Sequence, residues 1–73
     1  HGASAMILVH NHPSGCPEPS KADFDITVRM AIALDSIGST LHDHIIIGDS
    51  YYSFEASGWM EETRKKASAI IAL

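Results

Sequence analysis

At 73 residues the chain is one small domain or a piece of a larger one. Its single cysteine, Cys16, excludes the disulfide-stapled secreted mini-proteins and suits a reducing, cytoplasmic setting. A formal net charge of −4 argues against a broad basic surface for nucleic acid, and the longest apolar runs, Ala5 to Val9 and Ile45 to Ile47, are far too short to span a membrane.

No positively charged stretch leads into a signal-like core, so a secretory leader is not expected. Ala5-Met6-Ile7-Leu8-Val9 is a continuous run with β-formers, bounded by Gly2 and Pro13; it predicts a strand buried on both faces. Asn11 to Pro19 carries three prolines and Gly15, which makes it a stiff loop. From Ser20 to Ile37 the spacing is helical. Phe24, Thr27, Ala31 and Leu34 form one stripe, and Ile26, Met30, Ala33 and Ile37 form a second beside it. So wide an arc predicts a largely covered helix, stopped by Gly38.

Leu41 to Ile47 predicts a second strand, Gly48-Asp49-Ser50 a turn, and Tyr51 to Phe54 its hairpin partner. After the Ser57-Gly58 break, helical spacing returns from Trp59, with Met60, Thr63, Ala67, Ile70 and Ile71 on one face. Opposite them, Glu61/Lys65 and Glu62/Lys66 are expected to form i,i+4 ion pairs, which makes the Arg64-Lys65-Lys66 run a solvated helix face. The order strand, helix, strand, strand, helix defines a single α/β unit over residues 1–73, without repeats or a linker.

The chemistry concentrates in His10-Asn11-His12 and Ser20-Lys21-Ala22-Asp23. Two histidines at i and i+2 on an extended chain point to one face, and Pro13 keeps His12 extended. A catalytic zinc takes three protein ligands and keeps one open position. Asp23, in the first turn of the helix with its side chain tilted back toward the loop, is the natural third ligand. Ser20 and Asp23 also read as a capping box, with Pro19 and Phe24 placed as a hydrophobic staple. The readings are compatible, because one carboxylate oxygen can cap while the other binds metal.

His10, His12, Ser20 and Asp23 resemble the metal motif of JAMM/MPN metalloproteases at every fixed position. The wider wording, Ile7 to Gly15 with Pro19-Ser20, then Asp43 to Asp49 and Tyr52-Ser53-Phe54, is similar to the RadC branch of that superfamily, over about His1 to Gly58. The resemblance implies a partial MPN (cytidine-deaminase-like) α/β/α sandwich, a DNA repair context and zinc-dependent hydrolase chemistry on a peptide or protein substrate. It also implies that His10, His12 and Asp23 bind Zn²⁺, and that Ser20 is catalytic, bonding the polarised carbonyl or developing oxyanion. JAMM enzymes take their general base from a glutamate on a strand well upstream of the histidines; the nine residues before His10 contain no acid. The expectation is that an upstream segment supplies both that acid and sheet partners for Ala5 to Val9, and that the isolated chain self-associates or is inactive.

Other residues carry weaker expectations. Glu18, between two prolines, is not promoted to base; Cys16 reads as a small loop residue in preference to a fourth ligand, and His1 as an ordinary terminal residue. Alternation places Asp43 opposite to both His42 and His44, so the three form no obvious ligand trio; for Asp43 and His44 a hydrogen-bonded core or edge role is expected, with support of a ligand histidine as the alternative. The competing functional class is a zinc-stabilised binding or scaffolding module without catalysis.

Overall fold

In a computed structural model that describes residues 4–71, the elements are β1 (Ser4–Asn11), α1 (Lys21–Asp35), β2 (Ser39–Ile47), β3 (Tyr51–Ser53) and α2 (Trp59–Ile71). The predicted order holds, each boundary lying within a few residues of its expected place; His1 lies outside the described residues. The sheet order is β1-β2-β3. β1 and β2 are parallel, which requires the long crossover that α1 supplies, and β2 and β3 are antiparallel across the Gly48-Asp49-Ser50 turn.

One irregularity sets the layout of the sheet. The β1–β2 register pairs Met6 with Leu41 but Ile7 with Asp43, so His42 has no partner in β1. This bulge resets the alternation of β2. Leu41, His44 and Ile46 are therefore all buried, while His42 is exposed. Strict alternation had put His42 and His44 on one face; the extra residue separates them.

The core lies between the sheet and the helices: Leu34, Leu41, Ile46, Phe54 and Met60, flanked by Leu8, Phe24, Met30, Ala31 and Tyr52. Full burial of a side chain such as Ile46, Phe54 or Met60 contributes about 1.5–3 kcal/mol. α2 lays Met60, Thr63 and Ala67 inward.

Four expectations are corrected. β1 is an edge strand and is not buried on both faces: Met6, Ile7 and Val9 are about half exposed, because no strand or helix among the described residues covers that side. α1 is covered along one stripe only. Thr27 and Leu34 are buried, but Ile26, Ala33 and Ile37 of the second stripe are exposed, since the sheet and α2 occupy only one side of the helix. On α2, Ile70 and Ile71 are exposed beyond the last core contact. The i,i+4 pairs of α2 also do not form; among the described residues its acidic contacts are Lys65–Glu62 at 3.9 Å and Arg64–Glu55 at 3.5 Å.

Candidate metal centre

His10 lies near the C-terminal end of β1, on the side facing α1, paired with Ile46. His12 follows one residue beyond the strand, yet its N–H still donates to the Ile47 carbonyl at 2.8 Å, so the extended geometry continues to that point. The two imidazoles accordingly share a side, their ring centroids 4.7 Å apart and edge to face. Just after them the chain turns: Gly15 N–H donates to the His12 carbonyl, with Gly15 at φ +89°. The loop is then fastened to the β2–β3 turn by Asp49 N–H donating to the Gly15 carbonyl at 2.7 Å.

Asp23 arrives from the first turn of α1, held by a complete capping box. Ser20 Oγ accepts from Asp23 N–H at 3.2 Å, and Ser20 N–H donates to Asp23 Oδ2 at 2.7 Å. A contact within four residues thus helps fix the rotamer of the carboxylate. Its Oδ1 lies 3.2 Å from His10 Nδ1 and its Oδ2 3.1 Å from His12 Nε2, with the Asp23 side chain buried and the His10 side chain the most open of the three.

The tautomer of His12 decides how these distances are read. His12 Nδ1 lies 2.9 Å from the Cys16 carbonyl oxygen, which can only accept, so Nδ1 carries a proton. In neutral His12 the Nε2 is then a lone pair, facing a carboxylate oxygen that is also an acceptor. Two acceptors at 3.1 Å need a cation between them, either a proton on His12 or a metal ion. The donor set fits a metal. Ligands about 2.0–2.1 Å from one tetrahedral ion lie about 3.3 Å from each other, and each histidine nitrogen stands at about that distance from a different Asp23 oxygen, His10 Nδ1 from Oδ1 and His12 Nε2 from Oδ2. One ligand atom from each of His10, His12 and Asp23 falls within 4.8 Å of the others.

Electrostatics support the charged carboxylate. Burial pushes the Asp23 pKa up, but the Ser20 hydrogen bonds and then His12 and His10 outweigh it, and the net shift is downward. Behind the cluster, His44 is fully buried and stacks between His10 and Phe54. Burial, followed by the nearby His10, lowers its pKa, and Asp23 and Asp43 only partly oppose that. Asp43, on the far face of β2, accepts from Ser53 Oγ, Glu55 N–H and His44 N–H, which ties β2 to the segment after β3.

The structure brings His10, His12, Ser20 and Asp23 together. Cys16 is exposed, and neither its thiol nor Glu18 joins the three-residue group. Asp43 and His44 take the hydrogen-bonded core role expected of them. In the sequence Thr27 falls on an apolar stripe. It is a buried polar residue, with its hydroxyl between the Asp23 carbonyl and His44 Nδ1. The signal for it was a threonine one helical turn after a candidate ligand, where its hydroxyl can reach the i−4 carbonyl.

A strand–loop–helix that gathers two histidines and an aspartate at the end of a parallel strand pair in a mixed sheet defines a small α/β domain with a candidate metal centre. Residues 1–59 match the family model described as a RadC-like JAB domain, and the chain belongs to that family. It is 58% identical over 59 residues to a UPF0758 protein of Ruegeria pomeroyi, covering 80% of this chain and 26% of that protein. The corresponding figures are 51% over 61 residues, 82% and 27%, for a UPF0758 protein of Aeromonas hydrophila, and 48% over 58 residues, 80% and 37%, for one of Vibrio cholerae. The chain thus spans about a quarter to somewhat over a third of the length of these relatives.

Proposed function

We propose that the chain is the zinc-binding portion of a JAMM/MPN-type hydrolase domain, of metallopeptidase or isopeptidase character, within a longer cytoplasmic RadC protein of DNA repair. The observation that supports this most directly is the pair of acceptors, His12 Nε2 and Asp23 Oδ2, held face to face with His10 beside them. His10, His12 and Asp23 would hold Zn²⁺. The chemistry a bound zinc supplies is a water acidified to a pKa of about 7 and a polarised carbonyl. Ser20, at the N-cap beside Asp23, would donate its hydroxyl to the substrate oxygen as negative charge develops there.

Hydrolysis also needs a base that takes the water's proton and returns it to the leaving nitrogen. Among the described residues no further carboxylate joins the cluster. In this proposal the base is a glutamate from an upstream strand that pairs with the open edge of β1, completing the α/β/α sandwich. The substrate is a peptide or protein; a net charge of −4 argues against a broad basic surface for nucleic acid. That same want of a base among the described residues favours the second reading, a zinc-stabilised binding or scaffolding module.

Zinc content of the full-length chain, with and without His10→Ala/His12→Ala, tests the metal assignment. About one zinc per chain that disappears in the double variant is expected; equal zinc in both sinks it. Metal-dependent cleavage of peptide or isopeptide substrates by the same protein supports the hydrolase, and consistent failure across such a panel supports the module.

A further inference from the structure

Thr27 joins the metal-ligand helix to the sheet through a hydrogen-bond chain of fixed direction. Its single hydroxyl proton has two neighbours, the Asp23 carbonyl at 2.5 Å and His44 Nδ1 at 2.6 Å. The carbonyl can only accept, so the hydroxyl proton goes to Asp23, and the Thr27 oxygen accepts from His44 Nδ1–H. The chain therefore runs from His44 in β2, through Thr27, to the backbone of Asp23. Every group in it is buried.

The His44 ring meets the other ligand-bearing element as well. It lies nearly parallel to the His10 ring, at 18° with centroids 5.8 Å apart, and on its other side to Phe54, at 20° and 4.7 Å. One side chain of β2 thus touches His10 of β1 and, through Thr27, the first turn of α1. Its Nε2 has no partner among the described residues. An unsatisfied buried nitrogen costs stability. A phenylalanine would fill the same slot without that cost, so the contribution peculiar to histidine here is the Nδ1–H given to Thr27.

We propose that Thr27 and His44 form a positioning pair for the metal centre, holding Asp23 and His10 at the mutual separation a metal ion requires. The pair is not a ligand set, since His44 stands outside the group whose donor atoms converge. It acts through the ligands: sliding of α1 along the sheet breaks the Thr27–His44 bond, and swinging of His10 off its place unstacks it from His44. This inference rests on the metal-binding reading above, and its test separates the two.

The test is Co²⁺ titration of the full-length chain, followed by the visible absorption of the bound ion and by competition with Zn²⁺. Thr27→Val and His44→Phe should each weaken binding about 10–100-fold and alter the Co²⁺ spectrum, the size of effect found when groups that orient metal ligands are removed. Thr27→Ser, which keeps the hydroxyl, should bind like wild type. His44→Asn, whose amide N–H stands near the place of Nδ1–H, should bind more tightly than His44→Phe, and this comparison carries the test if Thr27→Val does not fold. Met60→Ala is the control, because it opens the same core with no polar link to the site; it should lower stability and leave the Co²⁺ spectrum and affinity unchanged. Wild-type affinity and spectrum in both Thr27→Val and His44→Phe, or an equal loss in Met60→Ala, overturns the positioning role while the metal site stands. A wild-type protein that takes up no Co²⁺ overturns the metal reading and this inference together.

Discussion

His12 is held by the backbone of Cys16 and not by its thiol: Nδ1 donates to the Cys16 carbonyl at 2.9 Å, leaving Nε2 aimed at Asp23. Any side chain at position 16 presents the same carbonyl. Cys16→Ser should therefore bind zinc with wild-type stoichiometry, and with an affinity well inside the 10–100-fold loss that follows when a ligand histidine loses its orienting partner. Metal titration checks this. Loss of stoichiometric zinc in Cys16→Ser would make the thiolate a ligand and the centre a closed, structural one.

The Ser20 hydroxyl accepts from Asp23 N–H at the start of α1. Removing it leaves an N-terminal donor of the helix unmet and loosens the carboxylate. Ser20→Ala should lower the stability of the metal-free chain by about 1 kcal/mol, and Ser20→Thr by much less, as read from chemical denaturation. A neutral Ser20→Ala would show that the cap contributes little here, and that tertiary contacts alone fix Asp23.

How much of this was legible follows from the range of the interactions involved. The capping box and the shared side of His10 and His12 are set within a few residues, so the sequence pattern exposes them. The convergence of Asp23 with the histidines was expected from a tilted side chain and a stiff loop, and the geometry agrees. The placement of His44 was not readable in full. A bulge at His42 arises from how β2 registers on β1, and it moves each later residue of β2 to the opposite face from that given by counting back to Leu41. Thr27 was hidden for a related reason: a threonine on an apolar stripe looks like core until the histidine across the sheet is in place. The half-exposed β1 shows the converse. Its apolar run signals what such a strand is suited to pack against, whereas the observed exposure depends on which neighbours are present.

The loop that carries the site leans on Gly48. A β-carbon there would clash with the Gly15 carbonyl oxygen and stand 2.7 Å from its carbon, both backbone atoms that cannot swing aside. Gly48→Ala should push the His12–Pro19 loop off the β2–β3 turn, break the Asp49–Gly15 hydrogen bond, and cost about 1–3 kcal/mol, the range for overpacking. Zinc affinity should fall with it, since His12 is anchored to that loop. Thermal melts and a metal titration read both effects; unchanged values in the two would mean that the loop docks loosely.

Acid should destabilise the metal-free chain in two stages. Burial and then His10 lower the pKa of folded His44, against the partial opposition of Asp23 and Asp43. Between that lowered value and the ordinary histidine value of about 6.5 the unfolded chain binds more protons, so stability is highest above about pH 6.5 and declines below it. The Asp23 pKa, raised by burial but lowered further by Ser20, His12 and His10, is below its ordinary value when folded. Its contribution is present above the ordinary aspartate value of about 3.9 and is lost as pH falls through the folded one. Thermal midpoints of the metal-free chain should accordingly decline as the pH falls below about 6.5, and again at lower pH. His44→Phe should flatten the upper limb and leave the lower one; an unflattened upper limb would assign it to another group.

The sheet face turned away from the helices offers the last test. The registers place Ile7, Val9 and Asn11 of β1 beside Asp43, Ile45 and Ile47 of β2, with Tyr51 beyond Ile47. Ile7, Val9, Ile47 and Tyr51 are 54%, 58%, 42% and 71% exposed. This apolar surface adjoins the edge of β1, which has no strand partner but β2 among the described residues, and the two together favour strand-to-strand association. Taken alone, the 73-residue chain should associate at micromolar concentrations, and sedimentation velocity should show species larger than a monomer. Val9→Lys places a charge on both the open face and the edge strand, and it should shift the distribution toward monomer without touching His10, His12 or Asp23. In the full-length protein, where the proposed upstream segment pairs with that edge and completes the second layer of the sandwich over this face, the same substitution should instead lower stability, because the lysine would then be buried without a partner. A wild-type 73-residue chain that remains monomeric, or a Val9→Lys substitution that leaves the full-length protein as stable as before, would count against an upstream partner for β1.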